Sequence, residues 1–354
     1  MYIEIFGPVS SSNLREVPVF KKLLTIVIGV CLVFSLQPSK AEAGDSLIIA
    51  TATTGGTYYP VGVALGTLIS IKLAKKHGIT ATAINSAGSG ENVQMLKNKE
   101  AQLGILQSLF GLNAYQGKGP YEGRAVKDFR SITMLWENVE HFSLLSKYTD
   151  SNTIMDLQGL EDKFSIGKRG SGTEGSGRAI LQALGIDPES LNLEYLGYNP
   201  SAQAMMDGRI VGMNTPAGPP VAAVTQLFAQ VGSKKVEVLD FTDKQLETIQ
   251  SEYPIWNRYV VKAGTYPGQK KDIRTISQPN FLAVNPDVSK QTVYLITKTI
   301  YKNLPFLHNI HKATKAMSLD RAINGLPVPL HPGAVKFYRE QGIQIPDSLL
   351  DENS

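Results

Sequence analysis

A strand, a glycine turn and a helix start recur along this chain, and that unit restricts the folds open to it. The apolar run Leu47-Ile-Ile-Ala50 leads into Thr51-Ala-Thr-Thr-Gly-Gly-Thr-Tyr-Tyr-Pro60, after which Val61, Leu65, Leu68, Ile69, Ile71 and Leu73 recur at near-helical spacing up to Gly78. Thr80-Ala-Thr-Ala-Ile84 alternates as a strand does, Asn85-Ser-Ala-Gly-Ser-Gly-Glu-Asn92 is a second polar turn before a helix, and Leu103-Gly-Ile-Leu106 ends in Gln107-Ser108. Three successive strands thus deliver small polar residues at their carboxyl ends. The alternation predicts an α/β architecture with mainly parallel strands, whose ligands bind beyond those ends.

The second half repeats the unit. Ile132-Thr-Met-Leu-Trp136 and Phe142-Ser-Leu-Leu-Ser146 read as strands, with Glu137-Asn-Val-Glu-His141 between them. Lys163-Phe-Ser-Ile-Gly167 then enters Lys168-Arg-Gly-Ser-Gly-Thr-Glu-Gly-Ser-Gly177, the richest glycine turn in the sequence, ahead of a helix over Arg178–Leu184. Asp207-Gly-Arg-Ile-Val-Gly-Met213 and the rigid turn Asn214-Thr-Pro-Ala-Gly-Pro-Pro220 continue the pattern. Ile273–Val284 reads as a return crossing and Val288–Asn303 as a long amphipathic helix. At 354 residues the chain suits two domains, and the recurrence predicts two similar lobes.

At the N-terminus, Lys21-Lys22 precedes the apolar run Leu23–Phe34, and Ala41-Glu-Ala43 supplies a small-x-small cleavage site. Residues 1–43 are therefore expected to be a cleaved signal peptide, which predicts a periplasmic protein. The run is shorter than the ~20 apolar residues a membrane-spanning helix needs. The only cysteine, Cys31, lies inside it, so the mature chain is expected to carry neither disulfide nor cysteine metal ligand. Lys and Arg number 35 against 31 Asp and Glu, too even a balance to suggest a nucleic-acid partner.

Glycine turns at helix starts leave backbone N–H groups unpaired where the helix dipole favours negative charge, so Gly55-Gly56 and Gly170–Gly177 are both candidate anion cradles. Gly170-Ser-Gly-Thr-Glu-Gly175 also matches the G-x-G-x-x-G dinucleotide fingerprint, which keeps a nucleotide-dependent enzyme as an alternative. Neither a G-x-S-x-G elbow nor a His-Glu-x-x-His helix occurs. His308 and His311 have no third ligand near them in sequence, and His141 and His331 read as loop-fixing residues. No catalytic residue, metal site or cofactor is assigned. Tyr58, Tyr59, Tyr115, Tyr121, Trp136 and Tyr198 fall near the polar turns and suggest aromatic walls to a cleft.

Six ordered segments carry a resemblance: Thr54-Gly-Gly-Thr-Tyr-Tyr-Pro-Val-Gly62, Ser89-Gly-Glu-Asn92, Leu103-Gly-Ile-Leu-Gln-Ser108, Gly170-Ser-Gly-Thr173, Asp207-Gly-Arg-Ile210 and Pro327-Val-Pro-Leu-His-Pro-Gly-Ala334. From about Leu47 to Gly342 the chain resembles the TAXI-type solute receptors of TRAP transporters. The resemblance implies a two-lobed periplasmic-binding-protein fold of the second type with a central ligand cleft. Lobe 1 would comprise residues 44–137 and 270–354, and lobe 2 residues 138–269 between hinge crossings.

It also implies a monomeric, non-enzymatic receptor that passes a small carboxylate, a glutamate-like amino acid or a dicarboxylate such as 2-oxoglutarate, to a TRAP-type membrane permease. A sensor docking on a membrane kinase would use the same binding chemistry. By matched motif, lobe 1 would supply Thr54, Gly55, Gly56, Tyr58, Glu91, Asn92, Gln107 and Ser108, and lobe 2 Ser171, Gly172, Thr173, Asn214, Thr215 and Pro216. Glu91 either favours a cationic amino group or caps its helix. Many relatives carry a basic residue where this chain has Glu174, and Arg169 is the candidate to supply that charge instead.

Overall fold

The computed structural model describes residues 44–351, so the expected signal peptide lies outside the described residues. Two sheets organise them. In the first, β1 (Ser46–Ala50) pairs in parallel with β2 (Thr80–Ile84) and β3 (Leu103–Gln107). Between these strands run α1 (Tyr58–His77), closed by a left-handed Gly78, and α2 (Ser89–Lys97), while α3 (Ser108–Gln116) follows β3 directly. Leu65, Leu68 and Ile69 of α1 bury one helix face against the sheet core, as their spacing predicts.

The sheet is mixed rather than mainly parallel, because two long strands cross it. β4 (Arg130–Val139) and β11 (Ile273–Val284) pair antiparallel from Arg130 opposite Val284 to Val139 opposite Ser277. β11 also pairs antiparallel with β3 at one end and with β10 (Asn257–Val261) at the other. The half-exposed run of β10 carries no clear alternation, and no strand is expected there from the sequence.

The second sheet runs in the order β7-β6-β8-β5-β9. It comprises β5 (Phe142–Leu145), β6 (Phe164–Ser165), β7 (Leu193–Glu194), β8 (Gly212–Asn214) and β9 (Val236–Val238). Its helices are α4 (Gly172–Ala183), α5 (Tyr198–Met206), α6 (Ala222–Val231) and α7 (Asp243–Glu252). Two clusters built around Phe142, Phe164 and Leu239 and around Met213, Leu227 and Tyr266 form the core on this side. The chain then returns to the first core through α8 (Lys290–Lys302), α9 (Leu304–His308) and α10 (Pro332–Glu340). Among the described residues no helix is long and apolar enough to cross a membrane.

Candidate functional site

The starts of four helices converge on one narrow cavity. Gly56, Thr57 and Tyr58 come from the α1 start, Gly88 and Ser89 from α2, Gly172 and Thr173 from α4, and Tyr198 from α5; Ala52, Thr53, Ala87, Gln107, Pro216 and Ala217 complete the wall. The lobes touch across it. A Cβ at Gly172 would lie 2.7 Å from Gln107 Oε1 and 2.8 Å from Ser89 Oγ, and one at Gly56 would lie 2.9 Å from the Tyr198 ring. The Ala223 N–H donates to the Gly55 carbonyl at 3.1 Å, and Thr57 Oγ1 donates to the Gly218 carbonyl at 2.9 Å. These contacts leave a cavity of about 30 Å³, room for about two waters, so the cleft is closed.

Glycine is required at these contacts by proximity rather than by phosphate binding. Gly172 faces Gln107 and Ser89, and Gly175 packs where any side chain would run into the Phe110 ring. Two positions of the G-x-G-x-x-G pattern are thereby explained by the approach of the other lobe.

Both facing helix starts use the same device. Glu91 Oε2 accepts from the Ala87 N–H at 2.6 Å, and Glu174 Oε2 accepts from the Gly170 N–H at 2.7 Å, each four residues back. Each carboxylate thus caps its own turn from the outer side. Glu91, Arg169, Ser171 and Glu174 line a wider groove of about 610 Å³ outside the narrow cavity. There the Arg169 guanidinium stacks 3.5 Å over the Tyr195 ring, and Ser171 Oγ accepts the Glu174 N–H at 3.1 Å.

Of the residues expected from the sequence, Gly56, Tyr58, Gln107, Gly172, Thr173 and Pro216 reach the cavity. Gly55 and Thr54 meet Asn199 across the lobe boundary, the latter through an Asn199 Nδ2 bond of 3.4 Å to Thr54 Oγ1. Asn92 is a buried stitch: Nδ2 reaches the carbonyls of Ala50, Thr51 and Ile105, and Oδ1 accepts from Ser86 Oγ at 2.6 Å. Ser108 Oγ is spent on the Gly325 carbonyl at 3.1 Å. Asn214 and Thr215 lie beneath the cavity wall, fully buried. Thr57, Ser89 and Tyr198 also line the cavity although no matched motif assigns them a ligand role; a helix-start position is the signal each carries in the sequence.

Beneath the cavity lies a buried polar layer. Both carboxyl oxygens of Glu140, both amide atoms of Asn138 and of Asn214, Ser143 Oγ, Thr215 Oγ1, Gln278 Nε2 and Asn280 Nδ2 are buried without a hydrogen-bond partner. Such groups ordinarily cost roughly 1–3 kcal/mol each. Burial pushes the Glu140 carboxyl up to about 8; Asn214 and Ser176 lie near enough to ease its charge without making a hydrogen bond of good geometry. Tyr58 and Tyr198 join this layer to the cavity. Tyr58 Oη donates to Asn280 Oδ1 at 2.5 Å, and the Tyr198 hydroxyl lies 2.6 Å from the Pro216 carbonyl and 2.9 Å from Thr173 Oγ1. Burial raises the pKa of both phenols, so they stay neutral.

His141, His311 and His331 make local structural contacts. His141 sits between the Val139 carbonyl at 2.8 Å and Tyr266 Oη at 2.6 Å, and burial holds it down at about 4. His308 ends α9, whereas His311 lies beyond it and its Nδ1 accepts the Ala313 N–H, so the pair does not share a helix face. His331 Nδ1 accepts the Gly333 N–H at the start of α10. Among the described residues no three His, Cys, Asp or Glu side chains cluster to hold a metal ion.

Two sheets joined by long crossing strands and closed over a central cavity define the two-lobed fold of periplasmic binding proteins. MatC from Rhodopseudomonas palustris, solved with bound malate, shares this fold at a TM-score of 0.51 and 15% identity, over 84% of this chain and 96% of that one. The aliphatic sulphonate binding protein SsuA from Escherichia coli aligns at a TM-score of 0.41 and 11% identity, over 84% and 83%. The chain belongs to the NMT1-like family, whose model matches residues 49–342.

Proposed function

We propose that this chain is an exported, non-enzymatic receptor of the TAXI type, which captures a small carboxylate between its lobes and hands it to an ion-driven TRAP-type permease. The observation that carries this reading is the meeting of the α2 and α4 starts across one cavity. Their first-turn N–H groups and dipoles favour an anion there, with no lysine or arginine in the cavity wall. The fold-sharing MatC holds malate, itself a carboxylate. A cavity of about 30 Å³ is far below the ~300 Å³ of ordinary ligand pockets, so capture requires the lobes to part and close again. The crossing strands β4 and β11 are the natural hinge, and ligand contacts to both lobes supply the differential affinity that favours closure. In this reading the receptor works as a monomer in the periplasm after loss of residues 1–43.

A thermal-shift panel on the mature chain tests the reading, because a ligand that binds only the folded state raises the melting temperature. Glutamate, 2-oxoglutarate or a short dicarboxylate is expected to stabilise it. Stabilisation by nicotinamide nucleotides with none by carboxylates or amino acids would replace the receptor reading with the nucleotide one.

A further inference from the structure

The receptor reading leaves the Glu140 carboxyl unexplained. It is fully buried, and neither oxygen has a partner. Its backbone is fixed on the crossing strands: the Glu140 N–H donates to the Ile276 carbonyl at 2.9 Å, and Thr275 Oγ1 donates to the Glu140 carbonyl at 2.9 Å. Around the side chain stand Ser176, one turn along α4 from the cavity-lining Thr173, and Asn214, two residues before the cavity-lining Pro216. Tyr198, which lines the cavity, is close enough to feel the Glu140 charge. Glu140 therefore lies directly behind the cavity wall, on the hinge side.

The two ends of the site differ in chemistry. The α2 and α4 starts offer backbone donors and positive dipole ends, while the hinge side offers one carboxyl and no lysine or arginine among the groups that bear on it. The Tyr198 phenol, which feels the Glu140 charge, and the imidazole of the next residue, His141, are both neutral at physiological pH. A dicarboxylate would bring a second negative charge toward Glu140. An amino acid would bring an ammonium.

We propose that Glu140 is the specificity-determining residue of the cleft: on opening and closing it pairs with the ammonium of a zwitterionic amino acid whose carboxylate sits at the α2 and α4 starts. The inference rests on the receptor reading and narrows its ligand class. Pairing with an ammonium supplies the partner both carboxyl oxygens lack, and Asn214 adds an amide to the same group. Burial alone favours the protonated carboxyl, so the ligand's charge is what draws out the carboxylate.

Isothermal titration of wild type and Glu140→Gln with L-glutamate and with 2-oxoglutarate, which differ at the amino-bearing carbon, tests this. Wild type is expected to bind glutamate at least ~30-fold more tightly than 2-oxoglutarate, and Glu140→Gln to lose at least ~30-fold for glutamate while its unliganded melting temperature is retained or raised. Equal or tighter binding of 2-oxoglutarate by wild type overturns the proposal whatever the variant does. So does undiminished glutamate affinity in Glu140→Gln. Binding of neither compound, nor of any other amino acid or carboxylate in the panel, sinks the receptor reading itself, and the proposal with it.

Discussion

Replacing Gly90 by alanine should separate folding from closure. Gly90 lies in the first turn of α2 with an ordinary helical backbone, where alanine is favoured over glycine by roughly 0.5–1 kcal/mol. In the closed cleft, however, its Cβ would run into the Gly170 carbonyl oxygen of the other lobe and sit 3.1 Å from the carbonyl carbon. The obstacle is backbone, not a side-chain end that can rotate away. Since non-bonded heavy atoms settle near ~3.5 Å, lobe 2 must retreat on the order of 1 Å. Such a retreat stretches the Ala223-to-Gly55 bond of 3.1 Å and the Thr57-to-Gly218 bond of 2.9 Å beyond useful range. At roughly 0.5–1.5 kcal/mol each, closure loses about 1–3 kcal/mol, or about 5- to 150-fold in affinity. The assay pairs a glutamate titration with an unliganded thermal melt. Weaker binding with an unchanged or higher melting temperature is expected. Affinity within twofold of wild type, or a melting temperature several degrees lower, would refute the assignment of this contact to closure alone.

Asn92→Ala should do the opposite, lowering stability by roughly 2–4 kcal/mol in denaturant melts of the unliganded protein, because it removes the buried amide that reaches the carbonyls of Ala50, Thr51 and Ile105 and accepts from the Ser86 hydroxyl. Trp136 stacks edge-on to Tyr58 at 6.0 Å and packs against Gly218 from the other lobe, so ligand-induced fluorescence change should vanish in Trp136→Phe and persist in Trp256→Phe, whose indole sits in the second-lobe core. Buried His141, held at about 4 instead of 6.5, loses stability as pH falls through that range, whereas Glu140, raised from 4.5 to about 8, loses it as pH rises. The two offset one another up to about pH 6.5, so the unliganded protein should lose roughly 2 kcal/mol between pH 6.5 and 8, a loss that Glu140→Gln should abolish in pH-resolved melts.

How far the sequence could be read depended on whether a feature was local. The strands at Leu47 and Thr80, the helix closed by Gly78 and the capping reach of Glu91 are short-range events, and their periodicity or spacing places them. Asn92 followed the same polar turn yet bonds to β1 and β3, a long-range role that its neighbours in sequence do not reveal. The antiparallel crossing of β4 with β11 joins residues more than a hundred positions apart, and nothing in either run encodes its partner.

Glu140 was hidden for a related reason. In Glu137-Asn-Val-Glu-His141 four polar residues flank a single valine, which reads as a polar connector between strands. The structure instead buries Asn138, Glu140 and His141, because the crossing strand β4 and the residues that follow it pass through the interior where the two lobes meet. A stretch of that polarity has no reason to be interior unless something polar must reach it. His141 finds Tyr266 and Val139, but Asn138 and Glu140 find no partner within the chain. The meeting of the lobes also accounts for Gly172 and Gly175, which help mimic a nucleotide fingerprint because small residues are needed both to bind phosphate and to let two surfaces approach closely. The distinction between those causes is made by what stands opposite: Gln107, Ser89 and the Phe110 ring, all from the other lobe.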